Sequence, residues 1–180
     1  MESGGWGELD ELVFFNLKKM IQKILIIAIC ALSCSLVTAQ DYSFNPSKKT
    51  ILDASKGEGL LKQCSRQAPQ KVKSFWNLTD AEVTGVEKYF KKIANLNPER
   101  IPPYNKILDS LENYSYQYIG LIINKKKYVY INAFKSSLEW KFKDWKIEPA
   151  KACDGPTSFW GVLFDLEKLE FKEFNTNGPG

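Results

Sequence analysis

The residues best suited to chemistry in this chain are four cysteines, and no histidine accompanies them. A nucleophilic cysteine or serine of the usual kind needs a neighbouring imidazole as its base, so neither a Ser-His-Asp nor a Cys-His arrangement can be assembled. Separated cysteines without histidine also fall short of a normal tetrahedral zinc set. No CxxC, HExxH, phosphate-binding Walker loop or GxGxxG occurs, so no metal and no cofactor is expected. Carboxylate chemistry remains. Asp154 and Asp165 flank the aromatic run Phe159 to Phe164; if that run is extended, the two acids stand about 20 Å apart, beyond the roughly 5 to 10 Å of a glycosidase pair. Acid pairs across strands stay open, and with them a histidine-free glycan hydrolase of the cell envelope.

The cysteines acquire a second meaning from the segment before them. Met20-Ile-Gln-Lys23, the apolar run Ile24 to Val37 and the small-residue site Val37-Thr38-Ala39 have the form of a secretory signal peptide over 20–39. The acidic stretch 1–19 does not belong to such a signal, and Met20 is the expected start. A lipid anchor at Cys34 is a weaker alternative to cleavage after Ala39. Cleavage there removes Cys30 and Cys34 and leaves Cys64 and Cys153, which in an oxidising compartment are expected to pair as a disulfide. Reducible, exposed thiols would instead indicate a redox protein. No later segment is apolar enough over a long enough run to span a bilayer.

Three of the 25 Lys and Arg and four of the 21 Asp and Glu precede Gln40, so the remainder carries a formal charge of +5. Only Arg66 and Arg100 are arginines. Lysine is the poorer group for bidentate phosphate recognition, so mild basicity indicates solubility or affinity for acidic envelope polymers rather than nucleic acid. Trp140-Lys141-Phe142-Lys143-Asp144-Trp145-Lys146 and Lys125 to Lys127 read as a half-buried strand and a solvated hairpin tip.

These residues need elements to hold them. Residues 40–57 are polar and turn-rich and read as a flexible lead-in to a single domain over 58–177. Thr79-Asp80-Ala81-Glu82 fits a capping box, and Val83, Val86, Phe90 and Ile93 follow at helical spacing to near Asn95–Pro98. Gly85 within that helix suggests close contact with a sheet. Ile107, Leu108 and Leu111 predict a second, shorter helix. Strands are expected over Tyr114–Ile123 and Tyr128–Phe134, joined through Asn124–Lys127. Others are expected over Leu138–Phe142, Trp145–Cys153, Phe159–Asp165 and Leu169–Phe174. The fold class is therefore α+β: an amphipathic helix, with a short second one, on an antiparallel meander of four to five strands, cystatin-like in architecture.

Gln63-Cys64-Ser65-Arg66, Tyr118-Ile119-Gly120, Tyr130-Ile131-Asn132-Ala133-Phe134, Cys153-Asp154-Gly155 and Phe159-Trp160-Gly161-Val162, then Phe164-Asp165, occur in that order. On these motifs the stretch from about Leu60 to Asn177 resembles an uncharacterised family of small exported bacterial proteins. Where that family often carries a second glycine after Cys-Asp-Gly, this chain has Pro156. The resemblance implies no activity. The Gln-x-Val-x-Gly motif of cystatins is absent, so likeness of architecture transfers no function. The expectation is an exported, non-enzymatic interaction module, inhibitor-like or binding an envelope protein or polymer. Its candidate surface comprises Arg66, Asn132, Asp154, Gly155 and Trp160.

Overall fold

The computed structural model describes residues 15, 17–23, 41–96, 110–155 and 157–178, in two units divided after Gln40. In the leading unit residues 17–23 are helical and exposed, and the Lys19 ammonium lies 4.4 Å from the centre of the Phe15 ring. The rest of the expected signal segment, with Cys30 and Cys34, lies outside the described residues. So do Ile107 and Leu108 of the expected second helix, while Leu111 opens a single 3-10 turn, Leu111–Asn113. Among the described residues no helix is long and apolar enough to cross a membrane.

The second unit is α+β, built on one open, mixed sheet of six strands. The strands are β1 (Lys49–Ile51), β2 (Val72–Trp76), β3 (Tyr114–Ile123), β4 (Lys126–Lys135), β5 (Phe159–Asp165) and β6 (Glu170–Thr176). Strands β3 to β6 follow one another antiparallel, as a meander. A two-residue loop makes the β3–β4 hairpin: Ile123 faces Lys126, and Asn124 and Lys125 take φ of 51° and 66°, the left-handed pair a type I′ turn needs. The outer edge of β3 is divided between two strands. β1 runs parallel along Tyr116–Tyr118 and β2 antiparallel along Gly120–Ile123. The sheet is thus larger than the expected four to five strands, and it is not wholly antiparallel. Residues 41–57, expected as a flexible lead-in, hold β1, the 3-10 turn Ala54–Lys56 and the start of helix α1 (Gly57–Leu61).

Both faces of the sheet are covered. Helix α2 (Asp80–Glu87) begins with the expected capping box: Thr79 and Glu82 bond reciprocally through side chain and backbone. Val83 and Val86 from α2, then Phe90 and Ile93 from the 3-10 segment Phe90–Asn95, are buried on Tyr116, Tyr118, Val129, Ile131, Trp160, Val162 and Phe164. Glu87 at the end of α2 is buried too. Its carboxylate accepts from the Lys49 ammonium at 2.8 and 2.7 Å and from the Tyr118 hydroxyl at 3.2 Å, which ties β1, α2 and β3 together. A Cβ on Gly85 would touch nothing within 4 Å, so this glycine does not mark the expected close contact with the sheet.

On the opposite face lie two apolar clusters. Ile119, Leu121, Tyr130 and Leu163 pack under Leu52 of the β1–α1 turn and Leu60 of α1, whereas Phe134 and Phe159 pack with Trp145 and Ala150. Two expected strands are absent from this second cover. Leu138–Phe142 falls largely in a 3-10 helix, Ser136–Lys141, because Leu138 and Phe142 are four residues apart and turn to the same cluster. Residues 145–153 form a turn and then irregular chain, not a strand: Trp145 is buried, Ile147 is 65% exposed, and Pro149 has no N–H for a ladder.

Candidate functional site

Between the two apolar clusters runs a polar row set by strand register. Gln117 on β3 faces Asn132 on β4, and Asn132 faces Gly161 on β5. The rows on either side, Ile119–Tyr130–Leu163 and Ser115–Phe134–Phe159, carry most of the apolar cover. Alternation along each strand therefore places an amide pair at inward positions, where burial costs free energy unless every polar group is bonded. Gln117 meets that condition in full. Its Nε2 donates to Trp145 O at 2.6 Å and Glu148 O at 2.7 Å, and its Oε1 accepts from Asn132 Nδ2 and Ala150 N, each at 2.9 Å. Asn132 Nδ2 donates further to Ala150 O at 3.1 Å. The Trp145, Glu148 and Ala150 carbonyls and the Ala150 N–H, which a strand there would have used, are thus taken by side-chain amides.

The third member of the row has no side chain, and Arg66 occupies the space. A Cβ on Gly161 would stand 3.2 Å from Arg66 Cζ and 2.8 Å from Tyr130 Cζ, and closer still to the Tyr130 hydroxyl. Arg66 is 5% exposed. Its Nη2 donates to Asn132 Oδ1, while Nε and Nη1 are buried with no hydrogen-bond partner. Among the described residues no carboxylate forms an ion pair with it. Burial pushes the guanidinium pKa down, and the Tyr130 hydroxyl beside it favours the charged form. Burial in turn pushes the Tyr130 phenol up, and the Arg66 charge opposes that rise.

Arg66 is held in place from its N-terminal side. Cys64 and Cys153 form a disulfide with Cα atoms 4.5 Å apart, as the cysteine count led one to expect, and both residues are exposed. The Ser65 hydroxyl donates to Cys153 O and accepts from Gly178 N, and Asn177 Nδ2 donates to Ala152 O at 2.8 Å. The bridge, the 150–155 loop and the end of the described chain thus form one clamp on the sheet.

The five expected surface residues separate into three places. Arg66 and Asn132 touch, but inside the sheet's second cover. Asp154 is exposed beside the disulfide, and Gly155, at φ 90°, gives the turn whose carbonyl accepts from Ser158 N and Phe159 N as β5 begins. Trp160 is fully buried on the α2 face, stacked on Phe174 at 5.3 Å. Gln117, Tyr130 and Gly161 complete the network although sequence reasoning did not name them as site residues. The signal was present in polar and glycine positions that alternate in phase with apolar ones.

A cleft of about 780 Å³ opens between the 67–71 segment and the β5–β6 pair. Amides line it, from Gln67, Gln70, Asn124 and Asn175, together with the cations Lys71 and Lys172 and one acid, Glu173. Tyr128 and Leu163 form its floor. One wall is shaped by a bulge: Leu163 pairs with Lys172 and Gly161 with Asn175, so β6 carries an extra residue, and Glu173 takes φ 52°. Lys172 lies 4.2 Å from the centre of the Tyr128 ring and 3.4 Å from Asp165 Oδ2. Burial pushes Asp165 up, but backbone N–H bonds from Lys168 and Glu167 and the Lys172 charge outweigh it, and its pKa falls below the usual carboxylate range. Asp165 ends β5, whereas Asp154 lies in the loop five residues before that strand begins, and among the described residues no group of three acids or cysteines could hold a metal. The lysines of the β3–β4 tip are partly engaged, Lys126 with Glu167 and Lys127 at 4.0 Å over the Trp76 ring.

No protein-family model matches the chain, and neither a curated protein nor a solved structure matches it.

Proposed function

We propose that this protein is an exported, non-enzymatic binding module of the family its motifs resemble, and that it takes an acidic envelope polymer in the cleft beside β6. One observation carries the reading: a 780 Å³ cleft lined by four amides and two lysines against one carboxylate, with a tyrosine in its floor. Amides and hydroxyls of a polar polymer exchange hydrogen bonds, lysines attract its charge, and an aromatic floor supports a sugar ring. A single acid does not supply the acid and base of a glycosidase. The exposed disulfide accords with an oxidising compartment, and α2 over the β3–β6 meander resembles cystatin-like folds with a parallel strand added.

Retention of the protein on immobilised polygalacturonate, compared with neutral dextran, tests this. Specific retention that falls with salt, and weakens on Lys71→Glu, is the expected result. Equal retention on dextran refutes it, and release of reducing ends from the polymer would establish the carboxylate hydrolase instead.

A further inference from the structure

The Arg66 guanidinium is costly where it stands. A buried ion normally has a counter-ion or a full set of hydrogen bonds, and an apolar side chain of similar volume is often as stable or more so. Here three of five N–H donors, on Nε and Nη1, are unpartnered, and no described carboxylate pairs with the charge. The fold nonetheless makes room for the group, by leaving position 161 without a side chain and by bonding Asn132 Oδ1 to Nη2.

Arg66 does not itself line the cleft, but residues next to it in sequence and across the sheet do. Leu163, the next inward residue of β5 after Gly161, forms part of its floor, and Asn175, which pairs with Gly161, forms part of its wall. Ser65 and Gln67, on either side of Arg66, are both exposed, and Gln67 lines the cleft.

Building on the cleft reading above, we propose that Arg66 is the oxyanion-recognising group of the cleft. A carboxylate or phosphate of the ligand, entering past Gln67, accepts from the unpartnered Nε and Nη1. Lys71 and Lys172 then serve to attract the ligand, and Arg66 to select an oxygen anion over a neutral hydroxyl. Guanidinium suits this role because its donors are planar and fixed and its charge persists on burial.

The test is titration calorimetry of the protein in a chloride buffer with monomeric galacturonate, inorganic phosphate and glucose. Wild type is expected to bind one or both anions in the millimolar range or tighter and not to bind glucose. The tighter anion identifies the source as sugar acid or phosphate. Arg66→Met is expected to lose anion binding while its melting temperature without anion is unchanged or raised. Arg66→Lys, which retains the charge, is expected to bind about tenfold more weakly or worse; it decides the matter if Arg66→Met does not fold. Equal anion binding by wild type and Arg66→Lys overturns the proposal, as does absence of binding to wild type at about 10 mM of either anion. Polygalacturonate retention separates the two readings. Retention undiminished by Arg66→Met leaves the cleft standing and removes Arg66 from it. Arg66-dependent binding of monomer without polymer retention does the reverse.

Discussion

Replacing Gly161 by alanine tests the central packing of the polar row. The added methyl would lie 2.8 Å from Tyr130 Cζ, closer to the hydroxyl, and 3.2 Å from Arg66 Cζ. Neither neighbour can yield easily. Tyr130 is 2% exposed, within the cluster of Ile119, Leu121 and Leu163, and Arg66 is tied through Nη2 to an amide that is itself bonded to Gln117 and Ala150. Overpacking of this kind costs about 1–3 kcal/mol. Tyr130→Phe alone removes the hydroxyl nearest to the added methyl and serves as the reference for the double variant. In the Gly161→Ala background the same change also removes the nearest clashing atom, so the double variant should be about 1 kcal/mol more stable than the sum of the singles predicts. Urea melts followed by tryptophan fluorescence, with a common m-value, measure this. Strict additivity, or a single Gly161→Ala effect below about 0.5 kcal/mol, refutes the packing argument.

The disulfide spans a sequence separation of 89, and the chain-entropy relation gives about 4.6 kcal/mol for a loop of that size. Cys64→Ser, Cys153→Ser and the double variant should therefore melt at nearly the same urea concentration, all well below wild type, since each loses the same bond. Gly85→Ala should raise stability by about 0.4–1 kcal/mol, because the methyl enters open space and the helix gains propensity. The folded pKa of Asp165 is depressed, so its contribution is present above the unfolded value near 3.9 and is lost as pH falls through the lower folded value. The stability gap between wild type and Asp165→Asn is expected to be full at neutral pH and to close below about pH 4; a gap constant with pH would contradict the assignment.

Much of the meander was readable from the chain because its information is local. The run Phe159–Asp165 is β5 residue for residue, and Tyr114–Ile123 is β3, since alternating aromatic and β-branched residues meet turn signals at both ends. The Thr79–Glu82 cap needs four residues, all contiguous. β1 and β2 were not readable. Lys-Thr-Ile is too short to carry a period, and its partner lies at Tyr116–Tyr118. The 145–153 stretch has strand-like composition, but backbone groups of Trp145, Glu148 and Ala150 are bonded to Gln117 and Asn132, residues distant in sequence. Arg66 and Asn132 could be named as candidates. That they touch, with Gly161 leaving the space, depends on register across β3, β4 and β5, and a one-residue slip would have turned the amides away.

The divided edge of β3 has a consequence for the chain outside its native state. β1 contributes three residues, yet it closes part of the backbone edge of β3: Tyr116 N donates to Lys48 O at 3.0 Å, and Leu52 N donates to Tyr118 O at 2.9 Å. β2 reaches only from Gly120 onward. If β1 is clipped or peeled away, the segment Tyr114–Ile119 is left as a bare template for strand addition by another copy. β1 is then a cover over an otherwise open strand edge as well as part of the sheet.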